Sequence, residues 1–181
     1  GVTTRETSDQ RQPVHLEREL DQAIAMLTNS IDASGLTIER TYAGDTCVLA
    51  LPDQLRQAFT NVLMNAFQAM KGRGILCLST SLTDTSVVTT IADSGSGIPK
   101  QHLSKVFDPF FTTKGQGEGS GLGLTVARRI IKKFGGDIRI ESQEGSGASC
   151  IVTLPIIPIS PSTQEASCTE STRSTPQPSP S

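Results

Sequence analysis

Asp93-Ser-Gly-Ser-Gly-Ile-Pro99, Phe107-Asp-Pro-Phe-Phe-Thr-Thr-Lys114 and Gly119-Ser-Gly-Leu-Gly-Leu124 set two glycine clusters on either side of a phenylalanine-rich turn. Glycines at this density let backbone N–H groups come close to a ligand, which is how proteins hold phosphates. The last cluster runs straight into Thr125-Val-Ala-Arg-Arg-Ile-Ile-Lys-Lys133, a good helix former. A glycine loop feeding a helix N-terminus favours an anion, through unpaired N–H groups and the helix dipole. The reading that follows is a nucleotide site.

Working outward, the flanking segments alternate between helical and strand patterns. Leu16, Leu20, Ala23, Ile24, Leu27 and Ile31 have helical spacing over 16–33. Leu36 to Tyr42 alternates as a strand, and Cys47 to Leu51 reads as a second short one. A helix over 53–70 presents Leu55, Ala58, Phe59, Val62, Leu63, Ala66, Ala69 and Met70 on one broad face. Asp53 is its expected cap, and Gly72-Arg-Gly74 its stop. Ile75–Leu82 and Val87–Ala92 read as strands joined at Thr83-Asp84. A short helical stretch runs from Pro99 to about Lys105, and a third long helix spans 121–134. Asp137–Glu141 and Ala148–Leu154 form a closing hairpin across Glu144-Gly-Ser-Gly147.

Residues 1–14 are polar and unpatterned and read as a linker or as the cut end of a longer protein, whereas 158–181 are Ser, Thr, Pro and Gln with little apolar content. The latter cannot bury enough surface to offset ordering entropy and reads as a disordered tail. The folded domain is expected over 15–157. The net charge of −2 with no basic face argues against nucleic acid as a partner. No apolar run is long enough to span a bilayer, so no direct membrane insertion by these residues is expected. Cys47, Cys77, Cys150 and Cys168 lack C-x-x-C spacing, and with His15 and His102 they make a poor zinc set. Cys77 and Cys150 lie in apolar strand-like runs and read as buried, reduced thiols, which fits a cytoplasmic setting.

Several nucleotide motifs are absent. There is no G-x-G-x-x-G, no G-x-x-x-x-G-K-[S/T] and no H-R-D with D-F-G. What is present is a polar stripe, Gln57, Asn61, Asn65 and Gln68, on the 53–70 helix. It reads either as a solvated helix edge or as a site where an Asn oxygen ligates a hard cation such as Mg²⁺. Asp93 reads either as a plain turn residue or as an acceptor for an adenine amino group. Phe107, Phe110 and Phe111 pin a polar loop to the core or to a partner. His15 and His102 lack the context of catalytic histidines.

Taken in order, Asn61-x-x-x-Asn65-Ala66, Asp93-x-Gly-x-Gly97, Phe107-Asp-Pro-Phe-Phe-Thr-Thr-Lys114 and Gly119-Ser-Gly-Leu-Gly-Leu124 resemble the N, first glycine, F and second glycine boxes of bacterial sensor histidine kinases. Each box is weak alone; four in order are specific. The form of the F box and the Asn-Ala-Phe-Gln-Ala stretch are most similar to the nitrogen-regulator subgroup. The resemblance implies the Bergerat ATP-binding fold, an α/β sandwich with a mixed five-stranded sheet packed on three helices. The order of elements agrees with it.

By the same resemblance, the cofactors are ATP and Mg²⁺. Asn65 would ligate Mg²⁺ and Asp93 would accept from the adenine amino group. Gly95, Gly97 and Ile98 would line the base pocket. Residues 108–120 would be an ATP lid, with Thr113 at the nucleotide and Lys114 against phosphate charge, and Phe107, just before it, would also contact the nucleotide. Gly119, Ser120, Gly121, Leu122, Gly123 and Leu124 would wrap the phosphates. In hydrolysing relatives a water-activating glutamate lies four residues before the magnesium Asn; here that position is Asn61, which cannot accept a proton at neutral pH. The implied activity is protein histidine kinase rather than ATPase. An H-E-x-x-x-P-like phosphoacceptor motif is not present in this sequence. The expected partners are therefore a dimerisation and histidine-phosphoacceptor domain of the same parent protein, which residues 1–14 would follow, and a cognate response regulator, with this part monomeric and not autophosphorylating. The competing readings are a non-catalytic ATP-binding regulatory module and an anti-sigma-type serine kinase on the same fold.

Overall fold

The computed structural model describes residues 10–44, 46–112 and 121–157. Its elements run β1 (Gln12–His15), α1 (Leu16–Ser30), β2 (Gly35–Thr41), β3 (Cys47–Ala50), α2 (Pro52–Met70), β4 (Arg73–Leu82), β5 (Ser86–Asp93), α3 (Lys100–Leu103), α4 (Gly123–Lys133), β6 (Asp137–Ser142) and β7 (Ala148–Pro155). Five strands form one mixed sheet in the order β2-β4-β5-β7-β6. β2 and β4 are parallel; the other neighbours are antiparallel. The long helices α1, α2 and α4 cover one face. This is the mixed five-stranded sheet on three helices that the motif boxes imply.

Burial follows from the two periodicities. On α1, Leu16, Leu20, Ala23, Ile24 and Leu27 are buried at steps of three and four. On the sheet, Leu76, Leu78, Val87, Ile91, Ile138, Val152 and Leu154 point under the helices. α2 lies between them with Phe59 and Leu63 fully enclosed. It is the central helix, in contact with α1 and α4 on its sides and with β4 and β5 beneath.

Three expectations are corrected. The cap of α2 is Leu51, not Asp53, because Pro52 occupies the first helical turn, where its fixed φ starts the helix. Asp53 is exposed and instead lies 3.6 Å from Arg56. Cys77 is exposed, not buried: in the alternation of β4, Leu76 and Leu78 take the core face and Cys77 the outer one, beside Glu39. Cys150, by contrast, is buried, and burial pushes its thiol up to about 12. Finally, Gln12 to Val14 lie at the end of the stretch read as linker, yet with His15 they form a strand antiparallel to β3, with Val14 only 4% exposed. Val48 of β3 bridges on to Ile156, so this small sheet ties both ends of the domain together.

Candidate nucleotide site

Asp93 is the last residue of β5 and is half-buried. Its Oδ1 accepts from the Gly95 N–H at 2.9 Å, and the Ala148 N–H also donates to the carboxylate. Burial raises its carboxyl above the ordinary range, and these two N–H groups oppose that rise. The loop that follows lies on the last turn of α2. A Cβ on Gly95 would stand 2.7 Å from the Ala69 carbonyl, so only glycine permits this approach. Ser96 N donates to Ala69 O at 3.3 Å. Gly97 has φ +70°, and a Cβ there would meet Gln143 O at 2.2 Å. Ile98 N donates to Ser142 Oγ at 2.7 Å.

At the other end, α4 begins at Gly123, whose Cβ position is 3.9 Å from Cβ of Asn61. The N-terminus of α4 therefore faces the middle of α2. Leu122 caps it, its carbonyl accepting from Val126 N at 2.9 Å, while Leu124 packs on the core. Along α2, Asn61, Asn65 and Ala69 follow one another a turn apart. Asn61 marks the α4 end and Ala69 the Asp93 loop, with Asn65 between; eight residues of helix separate the ends by about 12 Å. Asn61 and Asn65 are half-buried, and among the described residues their amides have no hydrogen-bond partner.

The phenylalanine turn lies against the start of α4. Phe107 is the anchored one: Thr125 Oγ1 of α4 donates to its carbonyl at 3.0 Å, and the Arg128 guanidinium lies 5.2 Å from its ring centroid. Phe110 is 74% exposed although its backbone is held at φ +64°. Its N–H donates to Gly121 O at 3.0 Å. Gly121, at φ +66°, leaves no room for a Cβ against the Phe110 backbone. Phe111 meets the His102 ring edge-on at 5.5 Å. Thr113, Lys114, Gly119 and Ser120 lie outside the described residues. His15 stands on β1, paired with Cys47 of β3, in the separate two-stranded sheet.

The structure thus gathers Asn61, Asn65, Asp93, Gly95, Gly97, Ile98, Phe107, Gly121, Leu122, Gly123 and Leu124 around α2. Sequence reasoning missed the contribution of the β6–β7 hairpin: Ser142, Gly147 and Ala148 back the Asp93 loop. The available signal was Ser142-Gln-Glu-Gly-Ser-Gly147, a third glycine cluster read only as a turn. It also missed Thr125 and Arg128, which lie in the first two turns of α4 and carry no motif of their own.

Residues 50–158 match the family described as Histidine kinase-, DNA gyrase B-, and HSP90-like ATPase. The chain belongs to that family. Among relatives of this ATPase domain, sensor histidine kinase ZraS of Escherichia coli (strain K12) is 36% identical over 152 residues, covering 80% of this chain and 32% of ZraS. Sporulation kinase C of Bacillus subtilis (strain 168) is 34% identical over 139 residues, covering 76% of this chain and 32% of the kinase. The chain spans about a third of the length of these curated relatives. The mycobacterial sensor histidine kinase MprB superimposes with a TM-score of 0.72 at 27% identity, covering 82% of this chain and 99% of that one. The catalytic domain of histidine kinase ThkA gives 0.72 at 28% identity, with 81% and 96% covered. A full-length ShkA structure in complex with AMPPNP gives 0.72 at 25% identity, covering 84% of this chain and 32% of that one. The four motif boxes thus lead to the right family, and the domain is an ATP-binding one of the histidine kinase type. Among the described residues no helix is long and apolar enough to cross a membrane.

Proposed function

We propose that this chain is the catalytic, ATP-binding part of a two-component sensor histidine kinase. It moves the γ-phosphoryl group of ATP to a histidine on a separate helical domain of the same parent protein, for onward relay to a response-regulator aspartate. The observation that carries this reading is the row along α2. Asn61 stands at the N-terminus of α4, Ala69 beneath the Asp93–Ile98 loop, and Asn65 between.

Each residue then has a task that its chemistry allows. Asp93, ionised, accepts from the adenine 6-amino group, with its carboxylate held by Gly95 N–H and Ala148 N–H. The first-turn N–H groups of α4 face the phosphates. Asn65 would hold Mg²⁺ through its amide oxygen; the fit rests on a half-buried oxygen donor with no hydrogen-bond partner among the described residues, the type that hard cation takes. The chemistry a bound ion would supply there is neutralisation of phosphate charge. Asn61 neither removes a proton nor activates water, so the site positions the phosphates and leaves the nucleophile to its partner. By the motif resemblance, Lys114 would add a cation against phosphate charge. Phe110, exposed on a fixed backbone, offers the partner domain an apolar contact. The setting is cytoplasmic, where ATP is.

The test is transfer in trans. The chain is mixed with the purified histidine-bearing hairpin of its parent protein and γ-labelled ATP. Acid-labile label on the hairpin supports the reading. Measured ATP binding without label on the hairpin assigns a regulatory module instead, and acid-stable label assigns a serine kinase.

A further inference from the structure

We propose that Ser142 is a positioning residue for purine recognition, latching the β6–β7 hairpin onto the Asp93 loop so that the site accepts a 6-amino purine and rejects a 6-oxo one. The inference rests on the nucleotide reading above and extends it to base selectivity.

Ser142 Oγ accepts from Ile98 N at 2.7 Å and donates to Gly147 O at 2.8 Å. One hydroxyl thus joins the end of the glycine loop to the far side of the hairpin turn. Around it the two segments are in backbone contact. Gly145 N donates to Ser96 O at 2.7 Å. A Cβ on Gly97 would stand 2.2 Å from Gln143 O, and one on Gly147 would overlap Asp93 O. The hairpin also delivers the Ala148 N–H to the Asp93 carboxylate, opposite the Gly95 N–H from the loop. The carboxylate is therefore oriented by one donor from each segment, and Ser142 fixes the distance between the segments.

Selectivity follows from that orientation. An ionised carboxylate only accepts, so it pairs with an adenine amino group and opposes the carbonyl oxygen of a 6-oxo purine. A site built around a fixed hydrogen bond rejects an analogue that cannot make it, as long as no water intervenes. Without the Ser142 hydroxyl, Ile98 N and Gly147 O lose their partner, the loop and hairpin part, and the carboxylate turns or takes a bridging water. The site then tolerates either base.

The experiment titrates Mg·ATP and Mg·ITP into wild-type chain, Ser142→Ala and Ser142→Thr by calorimetry, with melting curves for each. Wild type should prefer ATP by about tenfold or more, as expected for a hydrogen bond to a charged acceptor. Ser142→Ala should cut that ratio by about fivefold, and Ser142→Thr, which keeps the hydroxyl, should restore it. A residue that only supports the fold would weaken both ligands equally, so an unchanged ratio in Ser142→Ala overturns the inference. Failure of wild type to bind either nucleotide overturns the nucleotide reading itself. Should Ser142→Ala unfold, amide exchange on wild-type protein decides. Ile98 and Gly145 amides should be better protected with ATP than with ITP, and equal protection contradicts the latch.

Discussion

Asp93 is held in a place that raises the energy of its charge, and this has consequences for both affinity and pH. Replacing the ionised acceptor in Asp93→Asn removes a bond worth roughly 1.5–3 kcal/mol, so ATP affinity should fall about tenfold to a hundredfold in calorimetry. Burial lifts the folded carboxyl above its ordinary value. Between the ordinary and the raised value the native state keeps a proton that the unfolded chain has released. The stabilisation from this group is therefore full below the unfolded value, about 3.9, and is lost as pH rises through the folded one. ATP binding, which needs the ionised form, should weaken as pH falls through the same window. In melting and binding series across mildly acid pH, both trends should vanish in Asp93→Asn; their persistence would assign them to another group. Ser142 shows why some residues could not be read ahead. Its partners Ile98 and Gly147 lie on separate segments, and only the fold brings a serine at the end of β6 to the loop after β5.

Among the elements, α2 and α4 do most of the positioning. Helical periodicity made both legible, and with them the Asn61–Asn65 stripe, because a broad apolar face with one polar row constrains rotation about the axis. The start of α2 was misplaced at Asp53, since the fixed φ of Pro52 outweighs a capping carboxylate one residue later. Cys77 was misjudged because an apolar run in a strand feeds two faces and only one is covered. The anchoring of Phe107 is an element-level device. Phe107 is tied to α4 by the Thr125 hydroxyl and the Arg128 guanidinium. One hydrogen bond and one exposed cation–π contact together amount to about 1–2 kcal/mol. The double variant Thr125→Val, Arg128→Ala should therefore weaken ATP binding by roughly fivefold to thirtyfold, with little change in adenine-over-hypoxanthine preference. Direct titration checks this, and an unchanged affinity would leave Phe107 with no part in holding nucleotide.

For the whole molecule, the mixed five-stranded sheet and the three-helix layer were implied by the motif boxes, with which the sequence order of strands and helices agrees; the order of strands within the sheet was not legible. Nor was the small β1–β3 sheet. Val14 is a single apolar residue between Pro13 and His15, and its partner strand lies on the far side of α1 and β2. Non-local pairing of so short a strand leaves no periodic trace. The site depends on the central helix keeping its place, and Phe59 at its buried middle sets that. Phe59→Ala should cost about 3–5 kcal/mol in denaturant unfolding, and a loss below 1 kcal/mol would contradict the packing described. The central claim is that α2 brings both glycine segments around one magnesium nucleotide. Calorimetric titration of Mg·ATP into the wild-type chain and into Asn65→Ala, each repeated with a chelator, tests it most directly. A single saturable site that is weakened by Asn65→Ala, and no longer distinguished from it once the metal is removed, is the predicted result. An absence of heat at millimolar nucleotide, or an isotherm that Asn65→Ala leaves unchanged in the presence of magnesium, would contradict it.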